Sequence, residues 1–325
     1  MTVITAPRQL THSAGFWVIA TAFTTAMAFA TVTTPMFVLY QQRDGFPTVM
    51  ITVIFAVYAV GVMASLYLAG HVSDWLGRRP VILAAILAEA LAAVVYVTWE
   101  DVPGLLLARL ITGLGVGALT ATATAHLSEL RPGSSTIATA VNMGGLALGP
   151  LVGGLMVTFL PAPLTEPFVI FLTLLVIAGL AVSLVPETVE RQEERPAYRP
   201  QRVSLPRSAR PRFAGAVAGA FAAFAITGVF SALAPTLLAT AMHEPSRLLG
   251  GVAAFAAQGA GAVAQLLIKD RRWGMPLTIV GLVLVPAGAF AGSVALFFTG
   301  AVIVGAGAGL GLRSAVATAA ELAEW

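Results

Sequence analysis

Two ionisable side chains stand inside stretches that are otherwise apolar: Glu89 in the run 81–99 and Arg109 in the run 104–127. Charges in such surroundings are rare and costly, so each needs a reason. Glu89 reads either as a carboxyl that takes up and releases a proton or as a structural acid, neutral or hydrogen-bonded to a neighbouring helix. Arg109, near the start of its run, either snorkels to the water surface or turns inward as a partner in that proton step. Gln258 and Gln265 are seven residues apart, nearly on one helix face, where amides bond across helices or touch a substrate. His126 and Arg313 sit near the ends of apolar runs, which suits anchoring at the interface. The chain has no Cys, and its four His (His12, His71, His126, His243) lie far apart with no HExxH pair. Disulfides, thiolate metal sites and iron–sulfur clusters are excluded, and neither a metal nor another cofactor is expected.

What must position these groups follows from composition. Of 325 residues, 58% are hydrophobic and 10% charged, with mean hydropathy +0.89. Soluble domains hold about 45–50% apolar and about 25% charged residues. This chain has too little charge for a water-facing surface, which excludes a soluble enzyme. A helix crossing the bilayer takes roughly 20 residues. Apolar runs recur at 15–39, 49–68, 81–99, 104–127, 136–160, 168–185, 213–239, 248–268, 276–291 and 294–318. These ten runs predict an all-α polytopic membrane protein in a lipid bilayer. Only Gly292 and Ser293 part the last two, and 276–291 is short, so nine spans is the alternative. Ala28-Phe29-Ala30 has the look of a signal cleavage site, but the apolar stretch continues to Leu39. That is too long for a signal, and an uncleaved first span is expected. The pI near 9.7 comes from Arg in short loops, so no nucleic-acid partner is expected.

Assigning alternate loops to one side gathers Arg8, Arg78, Arg79, Arg131, seven Arg between 191 and 212, Lys269, Arg271 and Arg272, fourteen of eighteen basic residues. Arg43 and Arg247 fall opposite. This bias predicts a cell-membrane protein with a cytoplasmic N-terminus. The segment 186–212 holds seven Arg, four Glu and five Pro (Pro186, Pro196, Pro200, Pro206, Pro211). Proline at that density prevents a helix and the charge prevents insertion, so it reads as a solvated cytoplasmic linker. It divides an N-terminal six-helix half, 1–185, from about four helices in 213–325.

Between the second and third runs stands Gly70-His71-Val72-Ser73-Asp74-Trp75-Leu76-Gly77-Arg78-Arg79-Pro80. The glycines permit a tight reversal. Asp74 offers a carboxylate to a helix N-terminus or an arginine, and Arg78 and Arg79 hold the loop at the cytoplasmic face. The stretch resembles the G-x-x-x-D-x-x-G-R-R/K loop of the major facilitator superfamily, in which the loop stabilises one end state of alternating access. Arg109 with Gly113, Gly115 and Gly117 resembles the family's R-x-x-x-G pattern. Gly145, Gly149, Pro150, Gly153 and Gly154 resemble the G-x-x-x-G-P-x-x-G-G signature of its drug:proton antiporter-type branches. Small residues four apart allow close helix packing, and Pro150 removes a backbone hydrogen bond and permits a bend. The first run lacks the Asp that antiporter branches carry there.

The resemblance implies a helical bundle of two six-helix halves, each built from inverted three-helix repeats, with spans one, four, seven and ten lining a cavity. It further implies that the C-terminal half is incomplete: a fragment, a truncated product or a natural ten-span variant. Residues 269–274 occupy the place of the repeated loop in degenerate form. Arg78 is expected to pair with Glu129, the acid at the cytoplasmic end of the fourth run, because both lie at the same membrane face in the family arrangement.

The function expected is secondary active transport, a proton-coupled efflux of a small organic or drug-like molecule by alternating access. Phe29, Met36, Phe37, Phe221, Phe224 and Phe230 are candidate cavity walls, each also explained by packing or lipid contact. The alternatives are a non-transporting remnant, an uptake or uniport protein of the same family, and a ten-span exporter of two five-span repeats. The loop signature and charged linker argue against the last. No cluster of His, Asp and Glu supports an enzyme, and no Walker A pattern supports primary transport. The implied partners are the substrate, protons and lipid; no obligate protein partner is evident.

Overall fold

The computed structural model describes residues 10–189, 206–240, 242–243 and 246–323. Among them the regular structure is helical: α1 His12–Val32, α2 Met36–Asp44, α3 Thr48–Ala69, α4 Ser73–Leu76, α5 Arg78–Thr98, α6 Val102–Leu130, α7 Ser135–Phe159, α8 Glu166–Ser183, α9 Arg210–Thr240, α10 Arg247–Leu267, α11 Gly274–Phe290 and α12 Val294–Ala323. Among the described residues eight stretches are long and apolar enough to cross a membrane: His12–Asp44, Thr48–Ala69, Arg78–Thr98, Val102–Leu130, Ile137–Phe159, Glu166–Ser183, Leu248–Leu267 and Val294–Ala319. The chain is an all-α, multi-pass membrane protein. The expected runs at 213–239 and 276–291 fall on α9 and on the 17-residue α11. The greater part of the linker, 190–205, lies outside the described residues.

Local sequence sets several boundaries. The first run was expected to be continuous over 15–39, yet it breaks at residues 33–35 between α1 and α2. Pro35 has no N–H for the ladder and disfavours helical geometry at Thr34. Gly77, at φ +104, joins α4 to α5, and a Cβ there would stand 2.7 Å from Glu187 Oε2. Both the turn and the close approach require glycine. Pro103 enters α6 in its first turn, where its missing N–H is harmless. Pro150 lies inside α7 and leaves the carbonyl four residues back, Leu146, without its helical donor. Thr31 Oγ1 supplies the replacement at 2.9 Å.

The chain forms two compact units. The first comprises residues 1–30, 53–142 and 168–201. There α3 and α6 meet backbone to backbone: a Cβ on Gly61 would lie 2.6 Å from the Leu110 carbonyl oxygen and 3.1 Å from Gly113 Cα. Such approach replaces hydrophobic drive, which lipid does not provide, with dense van der Waals contact. Tyr96 stacks on Phe168 with ring centroids 4.5 Å apart, and Phe29 lies 5.8 Å from Phe171.

The second unit comprises residues 31–52, 143–167 and 202–325. Its core gathers Phe230, Leu238, Ala253, Phe297 and Val304 from α9, α10 and α12. Glycine governs the helix contacts here too. A Cβ on Gly261 would stand 2.9 Å from the Gly305 carbonyl oxygen, and one on Gly251 would stand 3.2 Å from Gly154 Cα.

Candidate functional site

In the first unit, α5 and α6 bring the two expected ionisable groups into one buried neighbourhood. Glu89 is fully buried, and among the described residues neither carboxylate oxygen has a hydrogen-bond partner. It faces Gly115, where an added Cβ would lie 3.0 Å from Oε1. A hydrogen bond from Glu89 to a neighbouring helix is thus not found among the described residues, which leaves a neutral structural acid beside the proton-carrying one. Arg109 does not snorkel. It is 1% exposed, and its Nη1 donates to the Ala30 carbonyl at 2.7 Å. Its guanidinium carbon lies 5.1 Å from the Phe55 ring centroid and 5.4 Å from that of Tyr58. Two ring faces on α3 therefore spread its charge where water is excluded. Its charge acts on the Glu89 carboxyl, and both act on the Tyr58 phenol. Sequence reasoning did not single out Phe55 and Tyr58, because aromatics on a lipid-spanning helix carry no signal of their own.

The loop Gly70–Pro80 is built around Arg78. Its Nη1 contacts Asp74 Oδ1 at 2.5 Å and Ser73 Oγ at 2.7 Å, and its Nη2 contacts Glu129 Oε1 at 2.8 Å. The expected Arg78–Glu129 pair is present. Asp74 serves this arginine, and the helix N-terminus goes to another acid. Glu187 accepts from the α5 backbone amides of Arg78 at 2.8 Å and Arg79 at 3.0 Å. The next residue, Pro80, has no N–H to satisfy, so one carboxylate covers the first free amides of α5.

Arg79 Nη1 reaches the carbonyls of Ser183 and Val185, and Thr188 Oγ1 donates to Glu129. His126, expected at the interface, is instead fully buried with Nε2 3.2 Å from the Pro186 carbonyl oxygen. The start of the linker is thereby stitched to α5 and α6. The one signal for it was Pro186-Glu187-Thr188, the first acid after the sixth run.

In the second unit, Gly145, Gly149, Pro150, Gly153 and Gly154 are all buried along α7. A Cβ on Gly153 would stand 3.0 Å from the Pro35 ring, so the motif receives the break between α1 and α2. Of the expected cavity aromatics, Phe29, Met36, Phe37 and Phe230 are buried in packing, while Phe221 and Phe224 are exposed. Phe224 nevertheless joins Gln258 in a cleft lined from α7, α9, α10 and α12. Gln265 is buried, and its backbone carbonyl accepts from Arg313 Nη1 at 2.7 Å. Arg313 also reaches the Ile268 carbonyl at 3.1 Å, so it closes the C-terminus of α10.

Comparison with known proteins places this architecture. Over 95% of its length the chain is similar to the crystal structure of the human organic anion transporter MFSD10 (TETRAN), with TM-score 0.59, 17% identity and 92% of that chain covered. Over 96% it is similar to a bacterial homolog of the human lysosomal transporter Spinster, in an inward-facing and unoccupied conformation, with TM-score 0.68, 14% identity and 78% of that chain covered. At such identities the likeness concerns fold alone. An arabinose-proton symporter of Bacillus subtilis (strain 168) is 33% identical over 73 residues, 22% of this chain and 16% of that protein. The sequence profile of the Major Facilitator Superfamily matches residues 19–324. The chain therefore belongs to the Major Facilitator Superfamily, a family of transporters and not of enzymes.

Proposed function

We propose that the chain is a proton-coupled secondary transporter of the cell membrane that moves a small organic molecule outward by alternating access. Its halves in this reading are 1–185 and the helices of 213–325, joined by the cytoplasmic linker 186–212, with the N-terminus in the cytoplasm. The observation that carries the reading is Glu89: a fully buried carboxyl with neither oxygen hydrogen-bonded among the described residues, in electrostatic reach of Arg109. A lone carboxylate in a dry site is expensive, so it must be neutralised either by a proton or by a cation brought against it. A shift of Arg109 on its aromatic seat exchanges one for the other, which is what coupling a proton to a conformational cycle requires.

The arabinose-proton symporter similarity supports proton coupling, although that alignment covers little of either chain. Outward direction is supported by the Gly145–Gly154 motif, whose close packing and proline bend belong to antiporter-type branches. An uptake protein of the same family remains the second reading, favoured by the missing acid in the first span. The test is transport in proteoliposomes by Glu89→Gln, which mimics the neutral acid. Efflux driven by an imposed pH gradient should be abolished while substrate counterflow without a gradient survives. Undiminished gradient-driven efflux would remove Glu89 from the mechanism.

A further inference from the structure

The cleft of the second unit carries chemistry that selects among substrates. Its walls are Met143 and Leu146 from α7, Phe224 and Ile226 from α9, Gln258 from α10 and the α12 face at Gly305 and Gly309. Among the described lining residues, Gln258 is the one polar side chain, and none is charged. Gly305 and Gly309 are taken up in the contact of α12 with α10, where a Cβ on Gly309 would lie 2.6 Å from Gly261 Cα, and Ala257, Ala308 and Leu312 add apolar side chains to the lining. The room for the centres of water-sized spheres is about 40 Å³. One water needs roughly 10–15 Å³ by that measure, so the cleft takes a ring or a chain end and not a whole drug-sized molecule.

We propose that this cleft binds one end of a neutral, predominantly apolar molecule, with a single hydrogen-bonding group on Gln258. This rests on the reading of the chain as a transporter of small organic molecules and names its substrate class. A polyhydroxylated molecule would leave most of its hydroxyls without partners there, each at the cost of its lost hydration. An ionised molecule would meet no counter-charge. Sugars and organic anions or cations are therefore refused at this site, whatever the relatives of the chain carry.

The chain has no cysteine, so Met143→Cys gives a single thiol in the cleft. Its rate of labelling by N-ethylmaleimide in proteoliposomes reports occupancy. Benzanilide should slow labelling, while arabinose, 2-naphthoate and tetraphenylphosphonium should not. trans-Stilbene has nearly the shape of benzanilide without its amide. Adding Gln258→Met should lower the preference for benzanilide over stilbene about fivefold, the worth of one hydrogen bond; partition into lipid cancels in that ratio. Protection by arabinose, naphthoate or the phosphonium as strong as that by benzanilide would overturn the proposal. So would an unchanged preference in a Gln258→Met protein whose labelling rate without ligand equals that of its parent. Should that variant fail to fold, the ligand panel on Met143→Cys alone decides. Protection without gradient-driven efflux would remove the transporter reading and keep the site; efflux of benzanilide without protection would remove the site and keep the transporter.

Discussion

Thr31 Oγ1 donates to the Leu146 carbonyl at 2.9 Å, the group whose helical donor Pro150 takes away. A side chain from the first helix thus completes the hydrogen bonding of α7 at its proline. Thr31→Val should destabilise the protein by about 1 kcal/mol, the net worth of a hydrogen bond that is partly buried. In a Pro150→Ala background residue 150 regains its N–H, and the same change should cost much less. A double-mutant cycle on thermal unfolding in detergent measures the difference. Equal losses in both backgrounds would mean that Thr31 acts through packing and not through this bond.

At the loop, Arg78 is shared between Asp74 and Glu129, whose side chains are 60% and 33% exposed. An exposed pair is worth about 0–1 kcal/mol, so the pairing should act on the balance of conformations more than on folding. Arg78→Glu or Glu129→Arg alone should impair transport, and the two together should restore part of it. A double reversal no better than the worse single one would rule out direct pairing as the reason for the loss.

Arg109 rests on Phe55 and Tyr58. Lysine keeps the charge but loses the planar face and the fork of donors. Arg109→Lys should therefore destabilise by about 1–2 kcal/mol, the range of a desolvated cation–π contact. Phe55→Leu should remove much of that difference between arginine and lysine. Unfolding of the four proteins checks it; a difference left unchanged by Phe55→Leu would take the ring out of the account.

Close glycine contacts make a steric prediction. A Cβ on Gly113 would stand 3.0 Å from Gly61 Cα and Val62 N, whereas one on Gly144 meets nothing within 4 Å. Gly113→Val should cost about 1–3 kcal/mol or more by overpacking, and Gly144→Val should be nearly neutral. Similar melting temperatures for the two variants would contradict the contact between α3 and α6.

Orientation is checked on the same Cys-free background. Single cysteines at Gly45 and Glu244 should react with an impermeant maleimide on intact cells, and those at Ser135 and Ser204 only after permeabilisation. Labelling of Ser204→Cys from outside would invert the topology drawn from the fourteen basic residues on one side.

Composition and hydropathy by themselves decided that this chain is a helical membrane protein, because each span must satisfy its own backbone in lipid and so needs its own apolar run. The family was legible in Gly70–Pro80, where steric need for glycine and the charge of Arg78 and Arg79 act over a few neighbouring residues. The Arg78–Glu129 pair was legible for the same reason, both lying at one membrane face. What the sequence left open concerned groups far apart along the chain. The neighbour of Glu89 was not legible, and α6 places Gly115 against its carboxyl. Arg109 had the length to snorkel, and only the faces of Phe55 and Tyr58 and the Ala30 carbonyl turned it inward. His126, read as an anchor, became a buried partner of the Pro186 carbonyl, and Glu187 became the cap of α5. Spacing along a helix fixes which face a residue occupies; what meets that face is chosen by packing between helices, which no local pattern encodes.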